Sequence, residues 1–164
     1  MIMGIRDAAY PGSFDPITFG HVNIVKRSIE RFDNLYVVVV NNPNKKYLFS
    51  LQERIEMVKK DLEDIPNVIV ESFDGLLVNY LKEKKIYNLI RGLRAVSDYE
   101  YELQMANANH MLFPQLEIFF LMADTDFSYI SSSMIKEIAS YNGDVSKWVS
   151  KFVELKLKEK LLKK

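Results

Sequence analysis

The chain has 164 residues, 22 Lys+Arg against 22 Asp+Glu, and no cysteine. Its 48% hydrophobic and 27% charged residues are ordinary for a globular chain and exclude disorder or collagen-like repeats. The lack of cysteine excludes a disulfide framework, a thiolate zinc site and a cysteine nucleophile.

Zero formal charge supplies no global basic field for nucleic acid. No apolar run approaches the roughly eighteen residues of a membrane span. Residues 1–7 lack the long apolar stretch of a signal peptide. The expectation is a cytoplasmic protein with a single domain over residues 1–164, in which about 145–164 form a C-terminal helical extension. Residues 151–164 hold six lysines and two glutamates, net +4. That composition reads as a solvated helix before it reads as a nucleic-acid arm.

Apolar runs alternate with helical patterns. Ala8-Ala9-Tyr10 is a short first strand, ended by Pro11-Gly12. Residues 21–32 place Val22, Val25, Ile29 and Phe32 at helical spacing. The run Leu35 to Val40 is β-branched throughout most of its length, as in a strand buried on both faces. Ser50 and Glu53 stand at capping-box spacing before a helix that buries Leu51, Ile55, Val58 and Leu62. Val68-Ile69-Val70 is the third strand, residues 76–85 a short helix, and Asn88-Leu89-Ile90 the fourth strand. Ser97 and Glu100 suggest a second capping box, opening a helix to about Leu112. Residues 116–122 form the fifth strand. A helix over 133–141 stops at Asn142-Gly143, and a last helix runs from Trp148 to the end.

Five β-α units predict an α/β fold: a single-domain doubly wound five-stranded parallel sheet, Rossmann-like, with a C-terminal helix. Ligands of such sheets bind beyond the carboxyl ends of the strands, at the switch point. The loops after strands one, four and five are therefore where function is sought. The first, Pro11 to His21, carries Ser13 and ends at a helix N-terminus, which suits a phosphate. It is neither a Walker A loop nor a G-x-G-x-x-G fingerprint. The fourth, Arg91-Gly92-Leu93-Arg94, sets two guanidiniums around a glycine. The fifth, Phe127-Ser128-Tyr129-Ile130-Ser131-Ser132-Ser133, ends at another helix start. Loop two adds Lys45-Lys46.

Each feature has a plainer reading. His21 could be a helix cap, Ser131 to Ser133 an N-cap cluster, Arg91 and Arg94 structural ion pairs, Asp15 a turn-former and Glu102 helix surface. The functional reading rests on their convergence at one edge of one sheet.

The segments Gly12-Ser13-Phe14-Asp15-Pro16, Thr18-Phe19-Gly20-His21, Ile90-Arg91-Gly92-Leu93-Arg94 and Ile130-Ser131-Ser132-Ser133 closely resemble the bacterial phosphopantetheine adenylyltransferases. These are members of the nucleotidyltransferase superfamily with a T/H-x-G-H motif. The resemblance runs from Tyr10 to about Phe152. Ser13 stands where threonine is usual and Phe19 where a smaller polar residue is commoner.

The resemblance implies transfer of the adenylyl group of ATP to 4′-phosphopantetheine, giving 3′-dephospho-coenzyme A and pyrophosphate. It implies His21 as the catalytic donor to the α-phosphate. Ser13, Lys45, Leu77 and Arg91 would bind phosphopantetheine. Ser13, Phe14, His21, Gly92, Leu93, Arg94, Glu102 and Phe127 to Ser133 would bind ATP. Mg²⁺ would be carried by the triphosphate with few protein ligands, and a homohexamer is expected, with neither nucleic acid nor membrane as partner. The alternatives are a sibling transferase with another small phosphate acceptor and a non-catalytic ATP-binding α/β module.

Overall fold

In the run at positions 35–40, side chains alternate between two cores, as the two-residue period of a strand requires. Leu35, Val37 and Val39 enter one apolar cluster, while Tyr36, Val38 and Val40 face the other. A computed structural model of the chain describes residues 6–94 and 96–161. This run is the centre of β2 (Asn34–Asn41). Its partners are β1 (Asp7–Gly12), β3 (Val68–Asp74), β4 (Asn88–Leu93) and β5 (Glu117–Met122). All pair in parallel, in the order β3-β2-β1-β4-β5, which is the doubly wound arrangement expected from the sequence.

The intervening helices are α1 (Phe19–Ile29), α2 (Leu51–Leu62), α3 (Leu77–Lys84), α4 (Val96–Leu112), α5 (Ser132–Ser140) and α6 (Lys151–Leu161). The larger core packs α1, α2, α5 and α6 on one sheet face. The smaller core sets α3 and the Phe113–Leu116 turn on the other. No helix among the described residues is long and apolar enough to cross a membrane.

Several boundaries differ from the pattern-based reading. β1 continues through Pro11 and Gly12, which pair with Val38 and Val39 of β2. Its pairing with β4 ends at Ala9, so the missing N–H of Pro11 leaves no ladder bond unmade on that side. α1 starts two residues earlier than expected, capped by Thr18. Phe32 lies beyond the end of α1 and packs edge-on against Phe119. The Ser50–Glu53 capping box is present as read. Ser97, in contrast, lies one residue inside α4 and so does not precede it as a cap; its side chain is outside the described residues.

Trp148 is not helical. It sits in the turn before α6, where its carbonyl accepts the Phe19 N–H. Lys163 and Lys164, read as the end of the last helix, lie outside the described residues.

The lysine-rich C-terminal helix docks on α2. Val153 and Leu157 enter the core, while Lys156 pairs with Glu56 and Lys160 with Glu53. At this seam the Ser150 hydroxyl donates to one oxygen of Asp61, and the other carboxyl oxygen is buried without a partner. Burial pushes the Asp61 carboxyl above its ordinary pKa. A raised native pKa means the folded state holds the proton longer than the unfolded chain does. Stability from this group is therefore greatest in acid and is lost as pH rises through the native pKa. Asp61→Asn keeps the acceptor for Ser150 and removes the buried charge. Its thermal midpoint is expected to exceed wild type by about 2–4 °C at pH 7.5. The gap should close as the pH falls toward 4, and a pH-independent gap would contradict this account.

Candidate active site

The cleft begins with the sheet itself. β1 and β4 share only two paired positions, Ala8 with Asn88 and Ala9 with Leu89. Beyond them the carboxyl ends of the two strands part at the switch point of the sheet. Tyr10 and Gly12 stand on one bank, Arg91 and Gly92 on the other, and the loops after β1, β2, β4 and β5 close the ends.

The first loop delivers His21 as the third residue of α1. Thr18 is the N-cap, and with His21 it forms a reciprocal capping box. His21 Nδ1 accepts the Thr18 backbone N–H at 3.0 Å and lies 2.9 Å from the Thr18 hydroxyl. An amide N–H can only donate, so the ring proton belongs on Nε2, on the far side of the ring from the cap. Burial, assisted by the nearby Arg94 guanidinium, lowers the His21 pKa to about 4. The group is a neutral, oriented N–H donor at physiological pH.

Phe14 forms the wall behind it, its ring 5.1 Å from the imidazole and edge-on. Phe14 is buried in the core, with a positive φ of 47°. This is a strained backbone for a bulky residue, held by the packing around it.

Two residues that pattern reading passed over fix the loops. Arg54 of α2 is fully buried. It donates to the Ser13 carbonyl at 2.7 Å, the Val40 carbonyl at 3.0 Å and Asn41 Oδ1 at 3.1 Å, and it lies over the Tyr47 ring. Asp15 is more than a turn-former. Its buried carboxylate accepts the backbone N–H groups of Leu48 and Phe49 and pairs with Lys136 of α5 at 2.6 Å. Loops one and two and α5 are thus tied to each other by charge-assisted bonds. A signal for Arg54 was present. It lies on the helix stripe that carries Leu51, Val58 and Leu62, where a charge is out of place unless it has partners.

The anion cradle is chiefly at α5. Ser131 caps the helix by accepting the Met134 N–H, and the Ser132 hydroxyl donates to the Pro16 carbonyl. The backbone N–H groups of Ser132 and Ser133 make no hydrogen bond among the described residues. They lie at the positive end of the helix dipole. The start of α1 offers less than expected, because the Phe19 N–H is taken by Trp148 and that of His21 by Thr18. Gly20 is needed here: a Cβ would stand 3.3 Å from Phe127 Cβ, tighter than most packed contacts.

Three neighbouring cavities follow. The largest, about 470 Å³, is lined by Ser13, Phe14, His21, Lys45, Arg91, Gly92, Arg94, Ser131, Ser132 and Ser133, with Lys46 and Lys136. A narrow one of about 90 Å³ adjoins it through His21, Gly92 and Arg94, and adds Phe127 and Ile130. The third, about 280 Å³, holds Leu77, Arg91 and Glu102 with Leu76, Met105 and Ala106. The sequence-derived residues therefore converge, with exceptions. Leu93 is buried, Ser128 donates to the Thr125 carbonyl, and Tyr129 is exposed beside Trp148. None of these three lines a cavity.

Glu102 sits on the Leu77 side of the cleft, not with Phe127. It holds Arg91 in a bidentate pair, with Nε to Oε2 at 2.6 Å. The exposed Arg94 pairs with the partly buried Asp98 at 3.1 Å, a contact weak enough to be exchanged for a phosphate. Phe19 faces away from the cleft, toward Ser150 and Phe152.

Cations, a neutral N–H donor and a helix N-terminus around a split parallel sheet define an α/β protein with a cleft fitted to phosphate groups. The cytidylyltransferase-like family model matches residues 9–138. The chain is 55% identical over 154 residues to the phosphopantetheine adenylyltransferase of Thermotoga neapolitana, covering 94% of this chain and 96% of that one. It is 51% identical to the enzyme of that name from Carboxydothermus hydrogenoformans, covering 97% and 98%. The likeness to that of Caldanaerobacter subterraneus subsp. tengcongensis is 52%, covering 97% and 99%. The chain belongs to the phosphopantetheine adenylyltransferase family within the cytidylyltransferase-like proteins.

Proposed function

We propose that the protein transfers the adenylyl group of ATP to 4′-phosphopantetheine, giving 3′-dephospho-coenzyme A and pyrophosphate. The single observation that carries the chemistry is the fixed Nε2–H of His21, set among Arg91, Arg94 and the α5 N-terminus. An oxygen of the acceptor phosphate forms the new bond to the ATP α-phosphorus. The bond from that phosphorus to the bridging oxygen breaks, and pyrophosphate leaves with the electron pair. The attacking phosphate is already ionised, so no strong base is required. Catalysis is positioning plus fixed electrostatics.

In this reading His21 donates to an α-phosphate oxygen as charge develops on it. Arg94 with the N–H groups of Ser132 and Ser133 holds the β- and γ-phosphates. Phe127 and Ile130 line the nucleotide side, as does Gly92. Lys45, Ser13 and Arg91 place the acceptor phosphate, and Leu77 meets the pantetheine arm. The apolar Leu76, Met105 and Ala106 beside Leu77 support that last assignment.

Mg²⁺ belongs to the triphosphate in this reading. The carboxylates near the cleft are engaged, Asp15 by Lys136, Asp98 by Arg94 and Glu102 by Arg91, which leaves hydroxyls as the protein's contribution. The ion supplies charge neutralisation on the phosphates. A homo-oligomer, of six subunits by family likeness, is part of the same reading. It is supported by the apolar side chains that α4 and β5 leave exposed, Tyr101, Met105, Met111, Phe119 and Met122 among them.

The test is pyrophosphate release from ATP with a panel of acceptors: phosphopantetheine, nicotinamide mononucleotide and a small alcohol phosphate. Release with phosphopantetheine supports the proposal, and release only with another acceptor refutes it. Lys45 is exposed at the rim of the largest cavity, on loop two. Lys45→Ala is expected to raise the KM for phosphopantetheine about tenfold or more while ATP affinity stays near wild type. Loss confined to ATP binding would contradict its placement.

A further inference from the structure

Tyr10 is a cleft side chain to which the reading above gives no role. Tyr10 is 6% exposed, its ring packed edge-on against Phe14 at 5.7 Å and lying 6.5 Å from the His21 ring. It lines both the 470 Å³ cavity and the narrow one, so it stands where they join. Its hydroxyl makes no hydrogen bond among the described residues, although the ring is deeply buried. The ring is buried, and the residue lines open cleft space into which a hydroxyl can donate.

The space before the hydroxyl is open for a structural reason. β1 and β4 have parted at this level, and the residue opposite is Gly92, where a Cβ would come within 3.5 Å of the Tyr10 oxygen. Burial raises the phenol pKa far above the ordinary value, outweighing the opposite pull of Arg91 and Arg94, so the group keeps its proton. It is a neutral O–H donor facing a cationic cleft, and the complement of such a group is an anionic oxygen.

We infer that the Tyr10 hydroxyl is a further phosphate-binding group of the reaction centre, donating a hydrogen bond to a phosphate oxygen held at the junction between His21 and Gly92. The inference rests on the adenylyl-transfer reading above. The oxygen can belong to the ATP α-phosphate or to the acceptor phosphate. The two are distinguished by which kinetic constant moves.

Tyr10→Phe in the full-length protein removes only the oxygen and keeps the ring. Steady-state kinetics with ATP and phosphopantetheine are measured together with thermal unfolding. A fall in kcat of about ten- to a hundredfold, the range for one hydrogen bond to a charged group, is expected with an unchanged thermal midpoint. If kcat falls with both KM values intact, the oxygen is on the α-phosphate; if the KM for phosphopantetheine rises instead, it is on the acceptor. Either result supports the inference. Kinetic constants all within twofold of wild type overturn it, as does a loss that is matched by a large drop in thermal midpoint. Should Tyr10→Phe fail to fold, Tyr10→Met, which also lacks the hydroxyl and fills the site with an apolar side chain, is measured in its place, and the same kinetic outcomes apply. A wild-type protein that releases no pyrophosphate with phosphopantetheine refutes the functional reading itself. An active wild type equalled by Tyr10→Phe refutes only the role of the hydroxyl.

Discussion

His21→Ala is expected to lower kcat by about a hundred- to a thousandfold, close to 3 kcal/mol of transition-state stabilisation, with little change in ATP affinity. The asymmetry follows from geometry. In the proposed reading Arg94 and the α5 N-terminus would remain to hold the nucleotide, whereas the Nε2–H would have no substitute at the α-phosphate. A fall of less than tenfold would reduce His21 to the capping role that it also plays through Thr18.

The same residue sets a pH signature. Its native pKa, about 4, lies below the ordinary value of 6.5. The unfolded chain therefore binds more protons between those two values. The stability that His21 contributes is complete above pH 6.5 and is lost as pH falls toward 4. His21→Ala should unfold with a shallower dependence on pH across that window. An NMR titration of the wild-type imidazole near pH 6.5 would contradict the neutral-donor assignment.

Arg54→Ala is expected to destabilise the protein by about 3–5 kcal/mol and to shift its thermal midpoint down by about 10 °C or more. Two backbone carbonyls and the Asn41 amide oxygen, all part-buried, would lose their donor, and a cavity would open beside Tyr47 where the fully buried guanidinium had been. The variant should also raise the KM for phosphopantetheine, because Ser13 and the end of β2 are held by the same guanidinium. Arg54→Lys keeps the charge but cannot span the three acceptors, so it should fall between wild type and alanine in urea unfolding. Equal stability of all three would remove Arg54 from the framework of the site.

What could be read from sequence was local or periodic. The β-branched run of β2, the Ser50–Glu53 cap and the stop at Asn142-Gly143 each depend on neighbours within a few residues. The cleft was legible because strand order fixes which loops share an edge, so His21, Arg91, Arg94 and Ser131 to Ser133 could be grouped before any coordinates. The missed features depend on partners far along the chain. Arg54 meets Ser13 across 41 positions, and Asp15 meets Lys136 across 121. No periodicity records such a bond. Tyr10 is a similar case: alternation puts it on the same face as Ala8, but only the parting of β1 from β4 leaves its hydroxyl before an open space. Glu102 and Tyr129 were assigned by motif position, which says nothing of their partners in the fold, Arg91 for the one and Trp148 for the other.

That parting has a wider consequence. A central strand with two rungs on one side and a full ladder on the other divides the sheet into unequal panels, β3-β2-β1 and β4-β5. In the proposed reaction a molecule seated in the gap would touch both panels, so its binding would add a link between them that its departure removes, with the two existing rungs left in place.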